Sequence, residues 1–363
     1  MLRLMVCLGI FGLACPSKLW SQERLAYFGV PTLPQHPAVV HRVLIDTGEN
    51  HALGKDTLFQ VVNAKGEPIA YYRKILQEAC FNGQCRPLNL QLYWNITGRY
   101  LGFELPSGEF LSKTEHVPFT ANEYHQLHKL LADSLSPLGN FNYLDLTPTA
   151  ARKTEKLDGI TAPTATSVLP YVVKGAVYTT YVLWKLVYGS TQQEVQRLTK
   201  QVLTAAMAHD MLESPDRSDH FWLLNNLDGL DSLTGALEQQ LVGMVSDRDY
   251  TLGERVLRVL PNRSLNSDTI QLELLQQFQG STYSLRLLIL EKLMQANALY
   301  PSAVRVLTAQ LKDLNGAALA VAFRLFRKFR IKNKETLTEI RKLQHSDNAY
   351  IASLASDYLD DRD

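Results

Sequence analysis

Three groups of residues in this chain have the types and spacing for chemistry. The string Asp158-Gly159-Ile160-Thr161-Ala162-Pro163-Thr164 sets one carboxylate beside two hydroxyls. A threonine hydroxyl is a poor nucleophile without an activating base or metal, and the bland alternative is a turn leading to an N-cap at Thr166 or Ser167. Cys80-Phe81-Asn82-Gly83-Gln84-Cys85 has the spacing of a small disulfide loop that Gly83 helps to turn, either a structural bridge or an electron-relaying dithiol. Zinc fits less well, because a structural site wants four ligands and His51 and His116 show no ligand spacing. Trp94, Tyr100 and Phe103 form an aromatic group that either walls a planar ligand or packs into a core. His125 and His128 lie one helical turn apart with no acid between them in a zincin pattern, so surface positions account for them. Nucleophile elbow, Walker A loop and dinucleotide fingerprint are all missing from the sequence.

The elements that must position these residues fall into two halves. From Val39 to Phe110, short runs rich in β-branched and aromatic residues alternate with turn formers. Leu58–Val62 and Ile69–Tyr72 read as one hairpin, and Leu88–Trp94 with Tyr100–Leu105 as a second, closed by Asn95-Ile96-Thr97-Gly98. The predicted sheet is antiparallel. Thr120 caps a helix to Ala132, with Glu123 placed for a capping box. A long apolar helix is predicted from Thr166 or Ser167 to Tyr188, with Pro170 in its first turn and Gly189 closing it. From Thr191 onward the strand signal gives way to helical runs broken near Pro215, Gly229, Pro261, Gly280, Pro301, Gly316 and Asn333. Their apolar stripes and a period of roughly 30 to 40 residues per helix pair resemble a HEAT-type solenoid.

The string 158–164 resembles the flavinylation motif of the FMN-binding domain family, found in subunits of the sodium-pumping quinone reductase and Rnf-type complexes. Asp158 matches the motif aspartate, Thr161 the first hydroxyl residue and Thr164 the residue esterified to FMN phosphate. Ala162 and Pro163 stand where that motif has Gly and Ala. The resemblance covers about residues 40–190. It implies an α+β FMN-binding-like domain of antiparallel hairpins plus helices, covalent FMN on Thr164, and a separate magnesium-dependent flavin transferase using FAD. Trp94, Tyr100 and Phe103 are then the expected ring contacts, and the loop of Lys113 and His116 is placed to approach the flavin or its phosphate. Such a chain is an electron carrier rather than a substrate-transforming enzyme. Pro163 favours the other reading, a cofactor-free interaction or scaffold protein in which the helical half does the work.

The chain has 363 residues, 37 Lys plus Arg against 36 Asp plus Glu, and 46% hydrophobic residues. That composition excludes fibrous and disordered classes, and the balanced charge argues against a nucleic-acid partner. Arg3 followed by the apolar run Leu4–Ala14 reads as a signal peptide ending near Gln22, too short to span a bilayer, and no later stretch is long enough. The expected organisation is a signal at 1–22, the FMN-binding-like domain at 23–190 and the helical-repeat domain at 191–363. Export to a bacterial periplasm follows, either soluble or lipid-anchored through Cys15, which follows a partial lipoprotein box. The partners expected are the transferase and a redox or other protein docking on the helical repeats. Arg324, Arg327, Lys328, Arg330, Lys332 and Lys334 form the one concentrated basic run, read as a solvated face or a docking patch for an acidic partner or phospholipid headgroup.

Overall fold

The computed structural model describes residues 25–28, 33, 36–46, 53–79, 86–146, 166–230 and 232–360. The chain divides into two compact units, Met1–Glu194 and Val195–Asp363. The first holds an antiparallel sheet, the second is helical.

The sheet has strands β1 (Leu25–Phe28), β2 (Ala38–Asp46), β3 (Leu53–Val62), β4 (Pro68–Gln77), β5 (Leu88–Asn95) and β6 (Tyr100–Leu105) in the order β1-β6-β5-β4-β3-β2. Five are six to ten residues long; β1 is a four-residue edge strand on β6. Both tight turns use the same device. Asn63 Oδ1 accepts from the N–H groups of Lys65 and Glu67, and Asn95 Oδ1 from those of Thr97 and Arg99. Gly66 and Gly98 follow at φ +81° and +82°, the left-handed backbone that favours glycine. The turns fix register, and register decides which side chains face the helices.

On β5 the alternate residues Leu88, Leu90, Leu92 and Trp94 are all buried. Leu92 lies opposite Arg73 on β4 and Phe103 on β6, so these share a face. Helix α1 (Ala121–Ala132) covers that face beside β6, with the Tyr124 ring 6.2 Å from Phe103. The predicted capping box is formed: Glu123 N–H donates to Thr120 Oγ1, and Thr120 N–H to Glu123 Oε2 at 2.8 Å. Arg73, 3% exposed, is compensated by Asp56 at 2.6 Å and donates to Thr191 Oγ1 at 3.0 Å. A buried guanidinium without such partners would cost several kcal/mol.

The predicted long helix is shorter than expected. Residues 166–176 make a turn, a short 3-10 segment at Leu169–Tyr171 and a second turn through Gly175 at φ +78°, and α2 runs only from Val177 to Val187. Pro170 and Gly175 each oppose a continuous α-helix, one by its missing N–H and ring, the other by its left-handed backbone. Thr180 closes the entry by accepting from Val173 N–H and donating to Ala176 O. Helix α3 (Ser190–Gln201) follows.

The helical unit is a stack of pairs. Helices α4 (Ala205–Leu212), α6 (Gly235–Gly243), α8 (Asp268–Gly280), α10 (Pro301–Gln310) and α12 (Lys334–Leu343) pack neighbour on neighbour as one row. Helices α5 (Arg217–Asn225), α7 (Tyr250–Val259), α9 (Tyr283–Leu293), α11 (Gly316–Lys328) and α13 (Ala349–Asp360) form the second. From α6 onward each pair starts 33 residues after the last, at 235, 268, 301 and 334. The buried positions keep that step: Leu241, Leu274, Leu307 and Ile340 in the first row, Val256, Ile289, Ala322 and Ala355 in the second. Lysines join the pairs. Lys292 donates to the carbonyl of Leu260 at the end of α7, and Lys328 to that of Met294 at the end of α9. A cation there meets the unsatisfied carbonyls and negative dipole end of the helix.

Candidate functional site

Asp158, Thr161 and Thr164 lie outside the described residues, as do Cys80, Cys85, Cys15 and the predicted signal. Two described residues that border those segments, Ala79 and Tyr143, come together beside the N-terminal end of α2. Tyr143 sits in the 3-10 turn Tyr143–Leu146, just before residues 147–165, and its ring stacks on Tyr178 of α2 at 4.7 Å and 22°. The Tyr143 hydroxyl reaches the carbonyl of Ala79, the residue before Cys80, at 3.5 Å. Leu146 and Val168, on either side of residues 147–165, are fully buried anchors. Thus Ala79, before the cysteine segment, and Tyr143, before the motif segment, meet at one stacked tyrosine pair.

Two lysines border the same end. Lys113 pairs with Glu123 at 2.7 Å, and its stem lies against Gly175, where a Cβ would stand 3.6 Å from the Lys113 Cβ. Lys174 is exposed beside Gly175. The Lys113 hydrogen bond, with that from Thr120 N–H, holds the Glu123 carboxyl below its ordinary range. Glu115 and His116 follow with left-handed backbone, both at φ 60°. The Lys113 loop therefore lies against the Gly175 turn that precedes α2. Ala176 caps α2 without a side-chain hydrogen bond.

Trp94 and Tyr100 do not form the open stacking wall expected of them. Trp94 is fully buried and its indole N–H donates to Val187 O at 2.9 Å. Tyr100 is 4% exposed, and a 3.2 Å hydrogen bond links its hydroxyl to His128 Nδ1. Phe103 is fully buried beneath α1. All three lie on the helix-covered sheet face, so burial consumes their rings as core. Burial, then the charge of neighbouring Tyr188, pushes the Tyr100 hydroxyl well up; burial, then His125, holds His128 below its ordinary value.

Tyr143 and Tyr178 remain half-buried. Sequence reasoning missed them because neither belongs to a periodic run that marks a face; the available signal was that they bracket the motif segment. Lys185, about two turns along α2 from Tyr178, reaches Gly139 O at 3.0 Å and lies over the Tyr181 ring at 5.5 Å. Among the described residues no group of three or more His, Cys, Asp or Glu could hold a metal, and no helix is long and apolar enough to cross a membrane. No protein-family model, curated protein or solved structure matches the chain.

Proposed function

We propose that this chain is an exported flavin carrier in which FMN is esterified through its phosphate to Thr164, and that the helical unit docks the partner with which electrons are exchanged. The observation that supports it most is what gathers about the start of α2: a stacked, half-buried tyrosine pair whose Tyr143 precedes the motif segment, and, at the turn that leads into the helix, Lys113 against Gly175 and the exposed Lys174. The residues suit the group. Lys113 and Lys174 offer positive charge to a phosphoester, and Tyr143 with Tyr178 offers aromatic surface to a planar ring.

Attachment requires a transferase of the FAD-using class. The Thr164 hydroxyl oxygen forms the new bond to the FMN phosphorus, the pyrophosphate P–O bond of FAD breaks, AMP leaves, and the hydroxyl proton passes to the transferase. When bound, the flavin supplies one- or two-electron redox chemistry. The protein contributes placement. Glu123 holds Lys113 in position, Gly175 turns the chain tightly against the Lys113 stem, and Thr180 fixes the entry to α2. A tether also keeps the cofactor with a protein outside the cell, where a dissociated flavin would diffuse away.

The reading is tested by colour. Protein co-produced with a flavin transferase should show flavin absorption that survives denaturation, and Thr164→Ala should be colourless while Thr164→Ser retains it. Covalent flavin in Thr164→Ala would overturn the assignment of the acceptor.

A further inference from the structure

The C-terminal end of α11 and the start of α12 carry charge that the fold does not require. From Leu314 to Lys334 the sequence has six cations and no carboxylate. Two of the six have structural work: Arg327 donates to Asp357 O and Lys328 to Met294 O. Among the described residues Arg324, Arg330, Lys332 and Lys334 are exposed and pair with no carboxylate.

Three features argue that this charge is more than a solvated face. Arg330 occupies the left-handed position after α11, at φ 51°, where Phe326 O accepts from Ile331 N–H and Arg327 O from Arg330 N–H. Glycine is the residue favoured there, so an arginine is held at the expense of backbone strain. Lys332 and Lys334 flank the Asn333 cap of α12, the positive end of that helix, where cations are disfavoured; only Glu335 in the first turn opposes them. The equivalent turns lack the feature. Between α11 and α12 residues 329–333 hold two cations, Arg330 and Lys332, whereas Arg263 is the lone cation between α7 and α8 and residues 294–300 between α9 and α10 have none.

We infer that this edge of the helical unit docks an acidic segment of a partner protein, its carboxylates neutralising Arg324, Arg330, Lys332 and Lys334. A membrane surface fits less well. Among the described residues no large hydrophobic side chain is exposed between Tyr283 and Tyr350, so the edge has nothing to insert. Nucleic acid is disfavoured by the near-zero charge of the whole chain.

The test uses the full chain and a fluorescent decaglutamate peptide, followed by anisotropy at about 50 mM and about 300 mM salt. Wild-type protein should bind the peptide and lose about tenfold in affinity across that range. Reversal of all four cations to Glu should abolish binding. Arg330→Gly separates charge from folding: it should raise the melting temperature while weakening the peptide about two- to threefold. Equal binding by wild type and the reversed variant overturns the inference. So does wild-type protein that ignores the peptide, including one that instead sediments with phosphatidylglycerol vesicles.

Discussion

The sheet unit and the helical unit bury their cores by opposite strategies. In the first, decisive contacts join distant segments: Trp94 of β5 to Val187 of α2, and Arg73 of β4 to Thr191 of α3. In the second, contacts recur about one repeat apart, as between Lys292 and Leu260 or Thr308 and Thr336. A unit built on long-range contacts must form as a whole before any site on it exists. A stack of pairs is stabilised neighbour by neighbour, so its surface can change in one repeat while the rest is kept. That contrast matches the division of labour proposed: a cofactor site where distant segments converge, and a docking edge confined to one turn of the stack.

The contrast breaks most visibly under core truncation. Trp94→Ala should cost about 3–5 kcal/mol and unfold the sheet unit cooperatively, with hydrogen exchange rising through β3 to β6 together while α8 to α11 keep their protection. Equal loss in both units would refute their independence. Ile289→Ala should cost about 2–4 kcal/mol, with exchange rising in α9 and its neighbours α7, α8 and α11 and leaving the sheet amides unchanged.

Smaller changes sharpen it. Lys292, 4% exposed, is held below the ordinary lysine value by burial and donates to Leu260 O at 2.5 Å, Asn262 Oδ1 at 3.2 Å and Gln295 Oε1 at 3.2 Å. Lys292→Ala should therefore cost about 1–3 kcal/mol by stranding those acceptors, read as a lower urea midpoint of the helical unit. The smallest effect belongs to His128. Its value in the folded unit lies below 6.5, so as pH falls the unfolded chain takes up the proton first. The stability linked to the neutral ring is present above pH 6.5 and lost as pH drops below it. Urea melts at pH 7.5 and 5.5 should show a shallow loss that His128→Gln removes.

Where sequence pattern is local, it anticipated the structure closely. The second hairpin, expected at 88–94 and 100–105, occupies 88–95 and 100–105, and the capping box at Thr120 and Glu123 is formed. The breaks at Gly280, Pro301, Gly316 and Asn333 all fall at helix ends. The aromatic hairpin was less legible: alternation puts Trp94 on the apolar face of β5, but Tyr100 reaches that face only through the register shift beside Trp94, and neither pattern shows that helices close over it. Sequence narrows the repeat only to roughly 30 to 40 residues, because alongside Leu241, Leu274 and Leu307 other equivalent positions differ: Leu237, Ile270, Ala303 and Thr336 are all buried, yet share no motif. The tyrosine pair at the start of α2 depends on tertiary packing alone. The motif at Asp158 to Thr164 is legible only in sequence, since it lies outside the described residues.

The most direct test is intact-mass spectrometry of the exported chain, co-produced with a flavin transferase and FAD, followed by mapping of the peptide that contains Thr164. The account predicts the added mass of one FMN phosphoester on that peptide, at Thr164 and not at Thr161. An unmodified peptide, under conditions that flavinylate a control FMN-binding domain, would contradict it and leave the helical unit as the seat of function.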